Sequence, residues 1–338
     1  MDKKKSLLRS LKCNLWSIIN SKKLDKRNQL LSQDVWWIIN EFVGYYVICD
    51  MDTLIQFMSI KMPSRFVHFE DRGFSNPASA IREVLEMNVV SKLILDAPGE
   101  KVGCAIGKAL VTNSCLKVLR MQVCRIGEEA ARGIGKALES NSSLEELDLG
   151  HNYLAWEGSR PIFEALHKNY SLKKLDLQHN KIGPGSARVI AEALKLNTSL
   201  RELHLGWNLL EPEGGRAIGK ALETNSSLRI LRINTNALGW EGGVAIGEAL
   251  EKNASLQELD LCGNGIGKIA VGSICKALET NSCLRVLNLD SNSLRPDAGN
   301  ILSNVLGVNA SLRVLTLGTN RLGPQGGQAI AVGLEKNS

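Results

Sequence analysis

Asp148 and Asp176 stand 28 residues apart, and a histidine, His151 or His179, follows each by three. His204, Arg232 and Asp260 continue the first series at the same interval, and Trp207 continues the second. Arg120 precedes the first series, and Glu146, Lys174 and Glu202 form a third series two residues upstream of it. Carboxylates and imidazoles ligate metals, whereas Trp and Arg anchor protein partners. A metal needs ligands that converge, with a supporting outer shell. Residues one interval apart instead form rows along an open face. We therefore expect these twelve residues to bind a protein partner and to hold no metal or cofactor. On adjacent strands Asp148 and Asp176 would sit about 5 Å apart.

Other chemistry is poorly supported. Gly263-Asn264-Gly265-Ile266-Gly267-Lys268 has the look of a phosphate loop, but its first Gly is misplaced and Ile269 stands where Ser or Thr is needed. There is no Ser-His-Asp grouping and no Cys-His pair close in the repeat frame.

The interval belongs to a repeat. Ser143-Leu-Glu-Glu-Leu-Asp-Leu-Gly-His-Asn152 carries the pattern LxxLxLxxN, which returns at 171, 199, 227, 255, 283 and 311, with a weaker copy at 115 and a shortened one at 89. Leu203 and Leu205 alternate with Glu202, His204 and Gly206, which predicts a short strand with one buried face. Asn152, Asn180, Asn208, Asn236, Asn264, Asn292 and Asn320 close the strands and are expected to form a ladder, with Pro98 and Cys124 replacing Asn in the first two units. Ala217, Ile218, Ala221 and Leu222 predict an inward-facing helix, ended by Asn225 in an expected left-handed conformation. Ala80–Asn88 matches that helix, so the repeats begin near 78, after an irregular stretch at 63–79. Six N-x-S/T sequons, at Asn141, Asn169, Asn197, Asn225, Asn253 and Asn309, follow from this repeat grammar rather than from secretion.

The LxxLxLxxN core and the Ala-Ile-x-x-Ala-Leu-Glu-x-Asn tail resemble the ribonuclease-inhibitor type of leucine-rich repeat over residues 78–338. The resemblance implies an α/β solenoid, a curved horseshoe with parallel strands on the concave face and helices on the convex face. It also implies a non-enzymatic scaffold that binds a partner in the concavity. Relatives of this type include GTPase activators, so a small-GTPase regulator is the alternative, as is a structural subunit of a large assembly.

The N-terminal region differs in character. Residues 1–30 hold nine Lys or Arg against Asp2 and Asp25, while the whole chain carries 41 basic and 35 acidic residues. The repeats are thus near neutral and lack the broad basic face of a nucleic-acid binder. An amphipathic helix is expected at 6–20 and a helical cap at 31–77. Residues 31–62 resemble a degenerate F-box with helices at 33–43 and 52–62, although Ser32 replaces the usual Pro and the 44–51 linker is long. That resemblance implies a Skp1-like partner and a ubiquitin-ligase substrate adaptor. The eight cysteines form no CxxC, which suits reduced thiols in a cytoplasmic or nuclear protein. No apolar run is long enough for a membrane span. The chain stops at Ser338 with no polar capping unit, which predicts an exposed flank at Leu315 and Leu317 where a partner or second copy can dock.

Overall fold

The computed structural model describes residues 45–48, 66–70, 76–96 and 98–337. The helix expected at 6–20 and the F-box-like helices at 33–43 and 52–62 lie outside these residues. Within the expected 44–51 linker, Tyr45–Ile48 is a strand, β1. The elements that follow are β2 (Phe66–Glu70), α1 (Pro77–Glu86), β3 (Lys92–Asp96), α2 (Gly99–Leu110), β4 (Val118–Arg120), α3 (Glu128–Leu138), β5 (Glu146–Asp148) and α4 (Ala155–Ala165). Then come β6 (Lys174–Asp176), α5 (Ala187–Leu196), β7 (Glu202–His204), α6 (Glu211–Leu222), β8 (Ile230–Arg232) and α7 (Gly239–Leu250). The last are β9 (Glu258–Asp260), α8 (Gly267–Leu278), β10 (Val286–Asn288), α9 (Asp297–Leu306), β11 (Val314–Thr316) and α10 (Gly323–Glu335).

The strands form one sheet in sequence order, and β2 to β11 are parallel. Strand β2 corrects the irregular reading of 63–79: Val67 and Phe69 are buried, and Phe66–Glu70 pairs residue for residue with Lys92–Asp96. It was hidden because Phe-Val-His-Phe-Glu alternates but lacks the leucines of the repeat.

Each unit buries its strand leucines against its helix, as Leu203, Leu205, Ile218, Ala221 and Leu222 show, all fully buried. Each such Leu or Ile contributes roughly 1.5–3 kcal/mol. Neighbouring helices approach closely through glycine: a Cβ on Gly215 would lie 2.6 Å from Gly242 Cα, and one on Gly219 2.6 Å from the Ala245 carbonyl oxygen. Strands repeat at about 4.8 Å while packed helices need roughly 8–10 Å, so the sheet takes the inner, concave side of the solenoid.

The asparagine ladder is present. Asn180 Nδ2 donates to Leu149 O at 2.9 Å, and its Oδ1 accepts from Asn152 N at 3.1 Å and Leu154 N at 3.2 Å. Cys124 breaks the pattern without leaving a gap: its thiol donates to Leu95 O, and the residue one unit back, Pro98, has no N–H that would need an acceptor. Helix starts draw on the next unit too. Glu211 N donates to Asn236 O at 3.0 Å and Ala155 N to Asn180 O at 2.9 Å, satisfying donors that a helix cannot pair internally.

The helix-ending asparagines correct an expectation. Asn197 is extended (φ −78, ψ 128), and of that column only Asn88 is left-handed. The others are selected for side-chain bonding instead. Asn253 Nδ2 donates to Leu222 O at 2.8 Å and Asn225 O at 2.9 Å, and its Oδ1 accepts from Ser255 N at 3.0 Å and Leu256 N at 2.8 Å. With both amide hydrogens engaged and the residue buried, this sequon Asn offers nothing to a glycosyl donor in the folded chain.

A left-handed residue lies in the turn after each of β4 to β11, at Val123, His151, His179, Trp207, Thr235, Gly263, Ser291 and Thr319. Among the described residues no helix is long and apolar enough to cross a membrane. Cys104, Cys115, Cys262, Cys275 and Cys283 are unpaired thiols, and burial pushes Cys275 up to about 12. Leu315, Leu317, Leu322 and Ile330 are only partly buried, whereas Leu287 and Leu289 are fully buried one unit earlier.

Candidate binding face on the parallel sheet

Strand register brings the first series into one row. Arg120 faces Asp148, Asp148 faces Asp176, and Asp176, His204, Arg232 and Asp260 follow one per strand. Glu146, Lys174 and Glu202 form the parallel row two residues upstream. Ion pairs run along and between the rows: Lys174 Nζ lies 2.9 Å from Glu202 in the upstream row, while Arg120 lies 3.7 Å from Glu146 and Arg232 3.7 Å from Glu258 across the two rows. On β10 and β11 the same positions hold Val286, Asn288, Val314 and Thr316, so charge is concentrated on β4 to β9.

Two members of the row lie beneath the surface. Asp176 and His204 are each only 6% exposed. Asp176 Oδ2 sits 3.1 Å from His204 Nδ1, and His204 Nε2 sits 3.4 Å from Arg232 Nη1. A guanidinium can only donate, so Nε2 accepts and the imidazole proton is on Nδ1, directed at Asp176. This relay fixes Arg232 in place and leaves its other nitrogen toward Glu258.

Asp148 accepts from Gly150 N at 3.0 Å and from Gln122 Nε2 at 2.7 Å. Burial pushes its carboxyl above the ordinary range against the Gly150 N–H, and the charge of Asp176 pushes the same way. Burial raises Asp260 likewise.

The second series becomes an aromatic stack. The His151 and His179 rings lie 4.0 Å apart at 16°, and the His179 and Trp207 rings 4.9 Å apart at 11°. All three occupy left-handed turn positions whose N–H groups bond to the next unit, His179 N to Gly206 O at 3.0 Å and Trp207 N to Asn234 O at 2.8 Å. Burial, then His151, holds His179 below the usual imidazole range. Trp207 remains 53% exposed, and one column away Lys181 Nζ lies 4.7 Å from the Tyr153 ring centroid.

The histidines are therefore engaged in stacking or in the Asp176 relay, and they do not converge with Asp148 and Asp176 on a common point. Among the described residues, the metal-type side chains that converge are Glu100, Cys104 and Glu129 on the helix side. Glu100 is committed to capping α3, accepting from Gly127 N and from Ala130 N at 2.8 Å. Burial, then Glu129 and Glu100, raises the Cys104 thiol, which disfavours the thiolate a metal would need.

A further row escaped the sequence reading. The residue before each strand is Lys117, Glu145, Lys173, Arg201, Arg229, Gln257, Arg285 or Arg313, a basic edge beside the acidic rows. Arg201 and Arg229 each donate to backbone carbonyls of the following unit, Ser227 O at 2.8 Å and Ser255 O at 3.0 Å. The same 28-residue interval displays this row, but it lies one step outside the alternating stretch.

Six segments, 140–158, 168–191, 196–219, 224–247, 252–275 and 308–331, match the family model described as Leucine Rich repeat. No curated protein matches the chain. Among solved structures, Leiomodin-1 Actin-Binding Site 2 is 23% identical with a TM-score of 0.38, covering 45% of this chain and 88% of that one. The tropomodulin C-terminal domain of Caenorhabditis elegans is 22% identical with a TM-score of 0.39, covering 45% of this chain and 91% of that one.

Proposed function

We propose that this leucine-rich-repeat chain is a non-enzymatic scaffold that binds a protein partner across the concave face of β4 to β9. The observation that carries the reading is the concentration there of cross-strand charged pairs beside a half-exposed Trp207, against the neutral positions of β10 and β11. Trp and Arg at the centre of a patch are the residues on which binding energy concentrates. The 28-residue period with a full helix in most units supports the ribonuclease-inhibitor type of repeat.

The test is affinity capture with mass spectrometry, comparing wild type with a chain changed at Arg120, Glu146, Lys174 and Trp207 to Ala. Asp176 and His204 stay untouched because they are buried. Partners captured by wild type should be lost from the variant, and retention of all of them would sink the concave-face reading. The adaptor form of this function rests on the F-box resemblance at 31–62. It requires a Skp1-like partner that co-purifies with the chain and disappears when 31–62 is deleted.

A further inference from the structure

The aromatic stack is unfinished. His151, His179 and Trp207 succeed one another on consecutive turns, so the free face of the Trp207 indole looks along the sheet toward the turn of the next unit. That turn carries Thr235, and the one beyond carries Gly263. Both backbones are left-handed like that of Trp207, and Thr235 N donates to Cys262 O at 2.7 Å, so the spacing of the column continues unchanged. The Thr235 hydroxyl leans away from the indole: a Cβ on Gly263 would lie 2.9 Å from Thr235 Oγ1. With Trp207 itself 53% exposed, this leaves an open slot beside the indole.

The electrostatics of the slot favour a cation. Asp260 Oδ1 accepts from Cys262 N at 3.0 Å and Gly263 N donates to Asp290 O at 2.9 Å, so both acidic residues border this turn. The cation on the strand below, Arg232, is already engaged by Glu258 and His204. A flat cation stacks on indole better than on any other side chain, and a guanidinium is both flat and permanently charged. A lysine already rides on an aromatic ring one column away, at Tyr153.

We propose that the open face of Trp207, bounded by Thr235 and Gly263 and neighboured by Asp260 and Asp290, receives an arginine side chain of the protein partner as the fourth layer of the stack. This rests on the concave-face reading and assigns the chemistry of the residue that reaches its edge.

The test uses the full chain labelled with 5-fluorotryptophan. Six tryptophans are present, and Trp207→Phe identifies the Trp207 resonance. N-acetyl-arginine amide is titrated against N-acetyl-lysine amide and N-acetyl-tyrosine amide. The arginine probe should move the Trp207 resonance with saturation, and more strongly than either comparator. Asp260→Asn, which keeps the oxygen that accepts from Cys262 N at 3.0 Å, should weaken the response ~2–5-fold. Thr235→Trp, at a position already left-handed, should fill the slot and abolish the response. An equal response to the tyrosine amide would make the occupant an aromatic ring and overturn the arginine assignment. No movement of the Trp207 resonance, or a movement that survives Thr235→Trp, would overturn the slot itself. Either failure is separable from failure of the concave-face reading, because partner capture by wild type would persist.

Discussion

Replacing Asn208 by Ala removes one rung of the strand-end ladder at the centre of the repeats. Its Nδ2 donates to Leu177 O at 3.0 Å and Leu205 O at 2.9 Å, and its Oδ1 accepts from Asn180 N at 3.0 Å and Ile182 N at 2.9 Å. The site is buried, so Ala strands two amide donors and one cross-unit carbonyl. Each buried group left unpaired costs about 1–3 kcal/mol, and water entering the vacated amide volume recovers part of that. The expected loss is therefore ~3–4 kcal/mol, near the sum of the lower limits. Asn320 supplies the internal control. Its Oδ1 accepts from one amide, Asn292 N at 2.7 Å, and Leu289 O, which its Nδ2 reaches, also accepts from Asn292 Nδ2 at 3.1 Å, so Ala strands a single amide and should cost ~1 kcal/mol. The assay pairs urea unfolding, followed by circular dichroism, with amide hydrogen exchange. In Asn208→Ala the amides of Asn180 and Ile182 should lose protection ahead of those two units away. Equal costs at positions 208 and 320, or unchanged exchange at 180 and 182, would refute the ladder as the source of stability.

Two further outcomes are expected. Gly219→Ala presses a methyl to 2.6 Å from the Ala245 carbonyl and should destabilise by ~1–3 kcal/mol, whereas a Cβ at Gly272 meets nothing within 4 Å and Gly272→Ala should stabilise by ~0.4–1 kcal/mol; thermal melts showing the same sign for both would contradict the helix-packing account. Asp148 has a raised folded carboxyl, so its charge costs stability above that value, and the cost is relieved as pH falls through it toward the unfolded value. Asp148→Asn keeps an acceptor for Gly150 N and removes the like charge opposite Asp176, so it should gain ~0.2–1 kcal/mol at pH 7 and little below pH 4, as urea midpoints at the two values would report.

The rows of the candidate face were legible because a strict 28-residue interval in a parallel sheet converts sequence distance directly into strand register. Asp148 and Asp176 were placed opposite each other on that ground alone, and the register agrees. What the interval does not encode is depth. Asp176 and His204 are submerged while Arg232, in the same row, is exposed. Nor does it encode backbone handedness. A left-handed Trp or Val gives no compositional warning, and in that column Gly263 alone favours the conformation intrinsically. The His151–His179–Trp207 stack follows from that handedness, so it became visible only with the turn geometry. Strand β2 was missed for the opposite reason: it has the alternation without the repeat.

The direction of the ladder bears on how the chain is made. Asn180 takes the amides of Asn152 and Leu154, Asn208 takes those of Asn180 and Ile182, and the first amide of α4 and of α6 bonds a carbonyl of the following unit. Every debt of this kind is settled by residues some 25–28 positions later. On the ribosome, where the N-terminal part emerges first, the newest turn always waits for one further unit of synthesis before its amides are paired. A repeat whose successor has not yet been made therefore carries turn amides that only water can pair.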